Sequence, residues 1–186
     1  MSDWLFDLLV IAAVLLLRQY VICFAVVKGR SMLSTFRTRD VVAAIRSPFL
    51  YRTIRRGDVV LCHYPGRTLR RLPFIPQTFI KRVAALPGET IEIIDGVLFI
   101  NGAETPEEYL DPLHNRIRRS YPPKVLQDDE YFVMGDNRDN SNDSRSIGPI
   151  KRKDIRAHVV KKLFHLPDFR KMKRQRGKDM SNLPKE

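Results

Sequence analysis

Hydrophobic and polar positions along the 186-residue chain follow two different patterns. Residues 4–17 are apolar everywhere except Asp7, with no polar face, before Arg18 and Gln19 interrupt them. A helix that is apolar all round has to be enclosed, in a protein core or in a membrane. These 14 residues reach about 21 Å, and extension to Tyr20 brings about 25 Å, against ~30 Å of bilayer hydrocarbon. Trp4 and Tyr20 suit the interfaces, Arg18 can snorkel, and Asp7 is tolerable only close to the headgroups. Residues 1–7 hold two aspartates and no Lys or Arg, unlike a cleavable signal peptide. The same gap leaves orientation without its usual electrostatic support. The expectation is a membrane-anchor helix over residues 1–20, with a core helix as the competing reading.

Beyond it the pattern shortens to strand length. Residues 20–27 are β-branched and aromatic and read as a first strand. Arg56-Gly57-Asp58 is a turn that opens the apolar run Val59-Val60-Leu61-Cys62, and residues 78–85 form another strand closed by Leu86-Pro87-Gly88. Residues 90–94 and 97–102 flank Asp95-Gly96, the signature of a two-residue hairpin turn. Residues 130–134 are a further strand, and 150–163 suit a last strand or helix. Residues 63–77 are rich in Pro, Gly and Arg and predict an exposed loop; 104–124 are polar and proline-spaced and predict an irregular excursion. Many short strands without βα alternation predict a mainly antiparallel β domain over residues 21–166. Residues 167–186 read as a basic, mobile tail.

Charge sharpens this division. The chain has 33 Lys+Arg against 21 Asp+Glu, a formal +12. Residues 151–186 alone carry 13 basic and 4 acidic side chains, a net of +9, which leaves +3 for the first 150 residues. A balance of this kind suits a polyanionic partner, whether nucleic acid, anionic lipid or a cell-surface polymer, and composition does not choose among them. Two cysteines, Cys23 and Cys62, exclude a disulfide-stapled mini-protein and a four-cysteine zinc ribbon. The phosphate-binding loop, the zinc-protease His pair and the Gly-x-Ser-x-Gly elbow are all missing from the sequence. His63, His114, His158 and His165 lack metal-ligand spacing. No cofactor or metal is expected.

Three islands carry candidate chemistry. In Gly29-Arg30-Ser31-Met32 a serine follows an apolar strand, and a glycine two residues earlier lets the backbone turn closely around a reacting carbonyl. An ordinary turn serine is the alternative. In Phe79-Ile80-Lys81-Arg82-Val83, period two sets Phe79, Lys81 and Val83 on one face, so one basic residue shares a side with apolar neighbours. Burial lowers a lysine's pKa and makes a neutral amine that can take a hydroxyl proton; Arg82 could not serve, since its guanidinium stays charged. A snorkelling edge lysine is the alternative. Residues 135–145 run for eleven positions without an apolar side chain. They fail as a calcium loop, because Ser144 stands where glycine is needed and Ile150 where the last carboxylate belongs. A self-bonded buckle fits better, with Asp136 or Asp143 paired to Arg138 or Arg145.

An apolar segment, Gly29-Arg30-Ser31-Met32, Arg56-Gly57-Asp58-Val59-Val60, Lys81-Arg82-Val83 with Leu86-Pro87-Gly88-Glu89, and the stretch Gly135 to Arg145 follow one another in that order. The series resembles the sequence boxes of the type I signal peptidases, bacterial membrane-bound leader peptidases, over residues 4–150. The resemblance implies a Ser/Lys dyad on an antiparallel β fold related to the SOS-repressor proteases, anchored in the cell membrane with its catalytic domain extracytoplasmic. It implies Ser31 as nucleophile, Lys81 as general base, Ser141 as the residue orienting the lysine, and an oxyanion region at Gly29 and the Ser31 backbone. Asp143 and Arg145 match the buckle's ion pair, braced by Asp136 and Arg138. Exported preproteins with small residues at −3 and −1 are the implied substrates, which asks for shallow apolar pockets. Val27, Met32, Phe36, Phe79 and Ile80 are candidates for their walls or, equally, for the core. The chain departs from the family in having Ser34 before Thr35 where proline is usual, Ala85 for glycine and Glu89 for aspartate; where some members place a serine hydroxyl in the oxyanion site, it has Gly29. A soluble self-cleaving repressor and a catalytically silent, polyanion-binding anchor are the alternatives.

Overall fold

A computed structural model describes residues 3–46, 54–69 and 72–168. Almost all of the expected tail, 169–186, lies outside the described residues. Helix α1 (Asp3–Tyr20) leads directly into the first strand. Its apolar side chains are exposed on every side, Trp4, Phe6, Leu8, Leu9, Ile11, Val14, Leu15 and Leu16 among them. No helix among the described residues is long and apolar enough to cross a membrane.

Eleven strands among the described residues form two sheets, every pairing antiparallel. In the larger sheet, β1 (Ile22–Val26), β2 (Asp40–Arg46), β11 (Ile155–His165), β3 (Val59–Leu69), β4 (Leu72–Ala85), β9 (Glu130–Met134) and β10 (Ile150–Lys151) lie side by side in that order. The smaller runs β7 (Ala103–Glu104), β6 (Val97–Ile100), β5 (Thr90–Ile94), β8 (Tyr121–Val125). The β5–β6 turn has Asp95 at φ 48° and Gly96 at φ 84°, both in the left-handed region that a two-residue hairpin requires. Residues 150–163, open between strand and helix in the sequence, are mostly strand.

Three apolar clusters hold the layers. Val27, Met32, Phe36, Val42, Leu61 and Ile80 pack on one face of the large sheet; Ile54, Val60, Cys62, Val83, Val133 and Ile150 pack on the other. Ala84, Ala85, Phe132 and Met134 join the small sheet through Ile91, Ile93, Leu98 and Leu126.

The described residues of the predicted loop over 63–77, which are 63–69 and 72–77, are instead the outer part of a β3–β4 ribbon. Pairing continues from Cys62↔Phe79 to His63↔Thr78, slips where Pro65-Gly66 sit, and resumes at Thr68↔Pro76 and Leu69↔Leu72. A ribbon that projects from the sheet has no buried face, so its sequence shows no alternation, and its prolines fall around the irregularity where ladder bonds are dispensable. The Arg67 guanidinium lies 4.5 Å above the Tyr64 ring, which packs in turn 5.3 Å from Phe79.

Candidate active site

The chain leaves β1 through two backbone bonds, Val27 N–H to the Asp40 carbonyl and Arg39 N–H to the Val27 carbonyl, each 2.8 Å. Gly29, at φ 95°, turns it back, and the Thr38 hydroxyl donates to the Gly29 carbonyl at 2.7 Å. Ser31 then opens a tight turn closed by Thr35 N–H and Phe36 N–H on the Met32 carbonyl, at 2.9 and 2.6 Å. Met32 and Phe36, 1% and 6% exposed, fix that turn by dropping into the core.

Strand β4 brings Lys81 beneath it. Register pairs Lys81 with Val60 and Arg82 with Val59, so Lys81 shares a face with Phe79 and Val83. Lys81 is 3% exposed, and its Nζ lies 2.7 Å from Ser31 Oγ. Burial pulls the ammonium pKa down from 10.5 to about 8; the Asp143 and Asp136 carboxylates push against that fall and the Arg145 guanidinium adds to it. The result is an amine that sheds its proton at about pH 8, in contact with a hydroxyl.

The loop 135–145 closes over both groups. Gly135 N–H donates to Asp143 Oδ2 at 2.9 Å, and Val133 N–H donates to the Ser144 hydroxyl at 2.9 Å. Asn137 reaches the serine turn twice, through its N–H to the Ser31 carbonyl at 3.0 Å and its Nδ2 to the Arg30 carbonyl at 3.1 Å. A Cβ at position 135 would collide with the Ser31 carbonyl and the Ser141 hydroxyl, so only glycine permits this approach. Asp143 caps the short helix α2 (Ser144–Ile147) and pairs bidentately with Arg145, at 2.8 and 2.9 Å. Although burial opposes it, that pairing lowers the Asp143 pKa below the usual carboxylate range.

The other expected buckle residues find different partners. Asp136, fully buried, takes Arg82 bidentately at 2.9 and 2.7 Å and a bond from the Thr35 hydroxyl. Arg138 pairs with Glu107, at 2.9 and 2.5 Å, and not with Asp136. Ser141 Oγ is buried without a hydrogen bond of acceptable geometry, although it lies close enough to Asp143 to help lower that carboxylate's pKa. The expected bond from Ser141 to Lys81 is not formed.

A cleft of about 410 Å³ opens beside Ser31, between Ala25, Val26, Val27 and Lys28 on one side and residues 76–80 on the other. Val27, Phe79 and Ile80 line it together with Val42, Leu61 and the polar Lys28, Gln77 and Thr78. Met32 and Phe36 stand in the core cluster behind it, not among its lining residues. Sequence reasoning missed Arg82 as a structural partner, although period two places it opposite Lys81. It also missed Glu107 and Tyr109, which sit in a stretch whose polar, proline-spaced composition carries no period to read.

A serine hydroxyl against a buried lysine amine, beside a cleft on antiparallel sheets, is an arrangement in which an amine can take a hydroxyl proton. The chain belongs to the signal peptidase family, peptidase S26, whose family profile matches residues 1–164. It is 34% identical over 172 residues to a probable signal peptidase I-1 of Synechocystis, covering 88% of this chain and 85% of that one. It is 30% identical over 181 residues to a signal peptidase I of Bacillus amyloliquefaciens, covering 92% of each. A crystal structure of a signal peptidase I from Enterococcus faecalis overlays with a TM-score of 0.47 at 28% identity, covering 59% of this chain and 98% of that one.

Proposed function

We propose that this protein is a membrane-anchored serine endopeptidase that removes N-terminal signal peptides from exported preproteins, with Ser31 as nucleophile and Lys81 as general base. The observation that carries the reading is the 2.7 Å contact between Ser31 Oγ and a lysine amine that is 3% exposed. Neutral Lys81 takes the Ser31 proton as Oγ attacks the scissile carbonyl carbon. The oxyanion is held by the Ser31 backbone N–H and a donor from the Gly29 turn. The lysinium then gives its proton to the leaving amine, and the acyl-enzyme forms. Water, deprotonated by the same amine, attacks the ester; the carboxyl product leaves and Ser31 regains its proton. Asp143 and Arg145 keep the loop over the dyad.

Val27, Phe79 and Ile80 give the cleft beside Ser31 apolar walls among the polar Lys28, Gln77 and Thr78, and small residues at −3 and −1 of the substrate are the ones that would seat there. Helix α1 is read as the anchor because the apolar side chains of residues 4–16 are largely exposed and such a helix needs enclosure, although it falls short of the length and apolarity of a full crossing. Asp3 and Asp7 fall toward one end of the apolar run, where headgroups can meet them. The β domain works on the extracytoplasmic face, and the basic tail leans on anionic lipid or wall polymer.

A preprotein peptide with alanine at −3 and −1 tests the dyad. Detergent-solubilised wild type cuts after the −1 alanine, and kcat/KM rises with pH and levels off above about 8, because the protonated amine present below it cannot accept a proton. Ser31→Ala and Lys81→Met lose at least ~10³-fold. Equal cleavage by all three proteins would show that these residues are not the dyad.

A further inference from the structure

The excursion over 105–117 touches all three segments that carry the proposed catalytic groups. Next to Lys81, the Arg82 guanidinium lies 4.1 Å above the Tyr109 ring. On the serine turn, Asp111 N–H donates to the Ser34 hydroxyl at 3.4 Å. On the covering loop there are three separate ties: Arg138 N–H to Asn115 Oδ1 at 2.9 Å, Arg116 N–H and Ile117 N–H to the Asp139 carboxylate at 3.0 and 2.8 Å, and the Arg138–Glu107 fork. Both side chains of that fork are 7% exposed, and the Tyr109 hydroxyl donates to the same Glu107 carboxylate.

The fork leads to the dyad through bonds. Arg138 Nε donates to the Gly135 carbonyl at 3.0 Å, and Gly135 N–H donates to Asp143, the charge that most strongly supports the protonated form of Lys81. Gly135 is also the point at which the loop presses on the Ser31 carbonyl. From this juxtaposition we infer that Glu107 is a positioning residue for signal-peptide cleavage, holding Arg138 so that the loop 135–145 sets the geometry and protonation of the Ser31–Lys81 pair. The inference rests on the dyad reading above.

If Glu107 becomes neutral, Arg138 loses its paired counter-ion, and the remaining carboxylate that acts on its charge is Asp143, toward which it is drawn. Asp143 is then drawn away from its present partners, and the site gains net positive charge. Both changes disfavour the lysinium, so the pH at which Lys81 loses its proton falls.

The experiment compares full-length wild type, Glu107→Gln, Glu107→Asp and Ser31→Ala on the alanine peptide from pH 6 to 10, with rates divided by the folded fraction from thermal melts. Glu107→Gln is expected to lower kcat by about 10-fold or more per folded molecule and to move the acidic limb down by roughly half a pH unit. Glu107→Asp keeps the charge at a shorter reach, so it is expected to recover part of kcat and return the limb toward wild type. A limb that stays in place in Glu107→Gln overturns the inference, whether activity falls or not, because a loss of stability alone cannot move it. If Glu107→Gln does not fold, Glu107→Asp decides: reduced kcat per folded molecule supports the role, and wild-type kcat overturns it. Ser31→Ala separates the two readings, since an active Ser31→Ala sinks the dyad, whereas an inactive one beside an unaffected Glu107 series sinks only the positioning role.

Discussion

Lys81 is kept in a state that folding does not favour. Its amine would hold a proton up to about 10.5 in an unfolded chain, yet burial brings that down to about 8 in the fold. Between those values the unfolded chain binds more protons than the native one, so stability rises with pH across the window; below about 8 both forms are protonated and the whole cost of a buried ammonium is present. Methionine has a similar length and no charge. Lys81→Met is therefore expected to raise the unfolding free energy at pH 7 by about 1–3 kcal/mol while abolishing cleavage. Denaturant melts at pH 7 and pH 10.5 check this, because the gain should fade at the higher pH; an equal or lower midpoint at pH 7 would refute it. Residue type beside a glycine and inside an apolar strand made Ser31 and Lys81 candidates, but a turn serine and a snorkelling lysine fitted as well, and it was the resemblance to the family's boxes that singled them out. The partners of the acidic and basic loop residues were not legible. Three carboxylates and two guanidiniums within eleven positions allow several pairings, and the observed ones for Asp136 and Arg138 use Arg82 and Glu107, supplied from 54 and 31 residues away.

At the scale of elements, β4 does two jobs because its side chains alternate. One face sends Lys81 toward Ser31; the other sends Arg82 across the Thr35 turn to Asp136. Arg82 and Asp136 have side chains 13% and 1% exposed. Removing the cation alone strands a buried carboxylate, which costs about 3–5 kcal/mol. Arg82→Gln is thus expected to lower the denaturation midpoint sharply at pH 7, with the Arg82→Gln/Asp136→Asn double variant recovering a substantial part; a single-variant loss under 1 kcal/mol would mean that the pair behaves as a surface bridge. Strands with a turn marker or a clean period, such as β5, β6 and β9, were legible. The ribbon end of β3–β4 was not, since a two-stranded projection buries neither face and has nothing to alternate. Nor was β2, whose Val41, Val42 and Ala44 are all buried, so that no polar position marks its period.

Across the whole molecule, the last strand returns to the place where the serine turn begins. Asp40, at the start of β2, has no exposed surface; its carboxylate takes Lys162 at 2.8 Å and His165 at 2.9 Å from β11, and Arg37 N–H at 2.8 Å from the serine side. Leu166 N–H donates to the Arg39 carbonyl at 3.0 Å, and Arg39 pairs with Asp168 at 2.8 Å. The two ends of the β domain are clasped there, a tie between residues 125 positions apart that no local pattern could announce. Burial alone would raise the Asp40 pKa, but Lys162, the Arg37 amide and His165 together bring it down from 3.8 to about 2. A carboxylate depressed in the fold adds stability that is complete above its unfolded value and is lost as pH falls through its folded value. The contribution at pH 7 is roughly 2 kcal/mol, since Lys162 and His165 are half exposed and solvent screens them. Asp40→Asn should therefore unfold at lower denaturant than wild type at pH 7, and the two curves should converge as pH drops from about 4 to about 2. A difference that persists undiminished at pH 2 would locate the effect in packing of the side chain and not in its charge, and the clasp would then be steric.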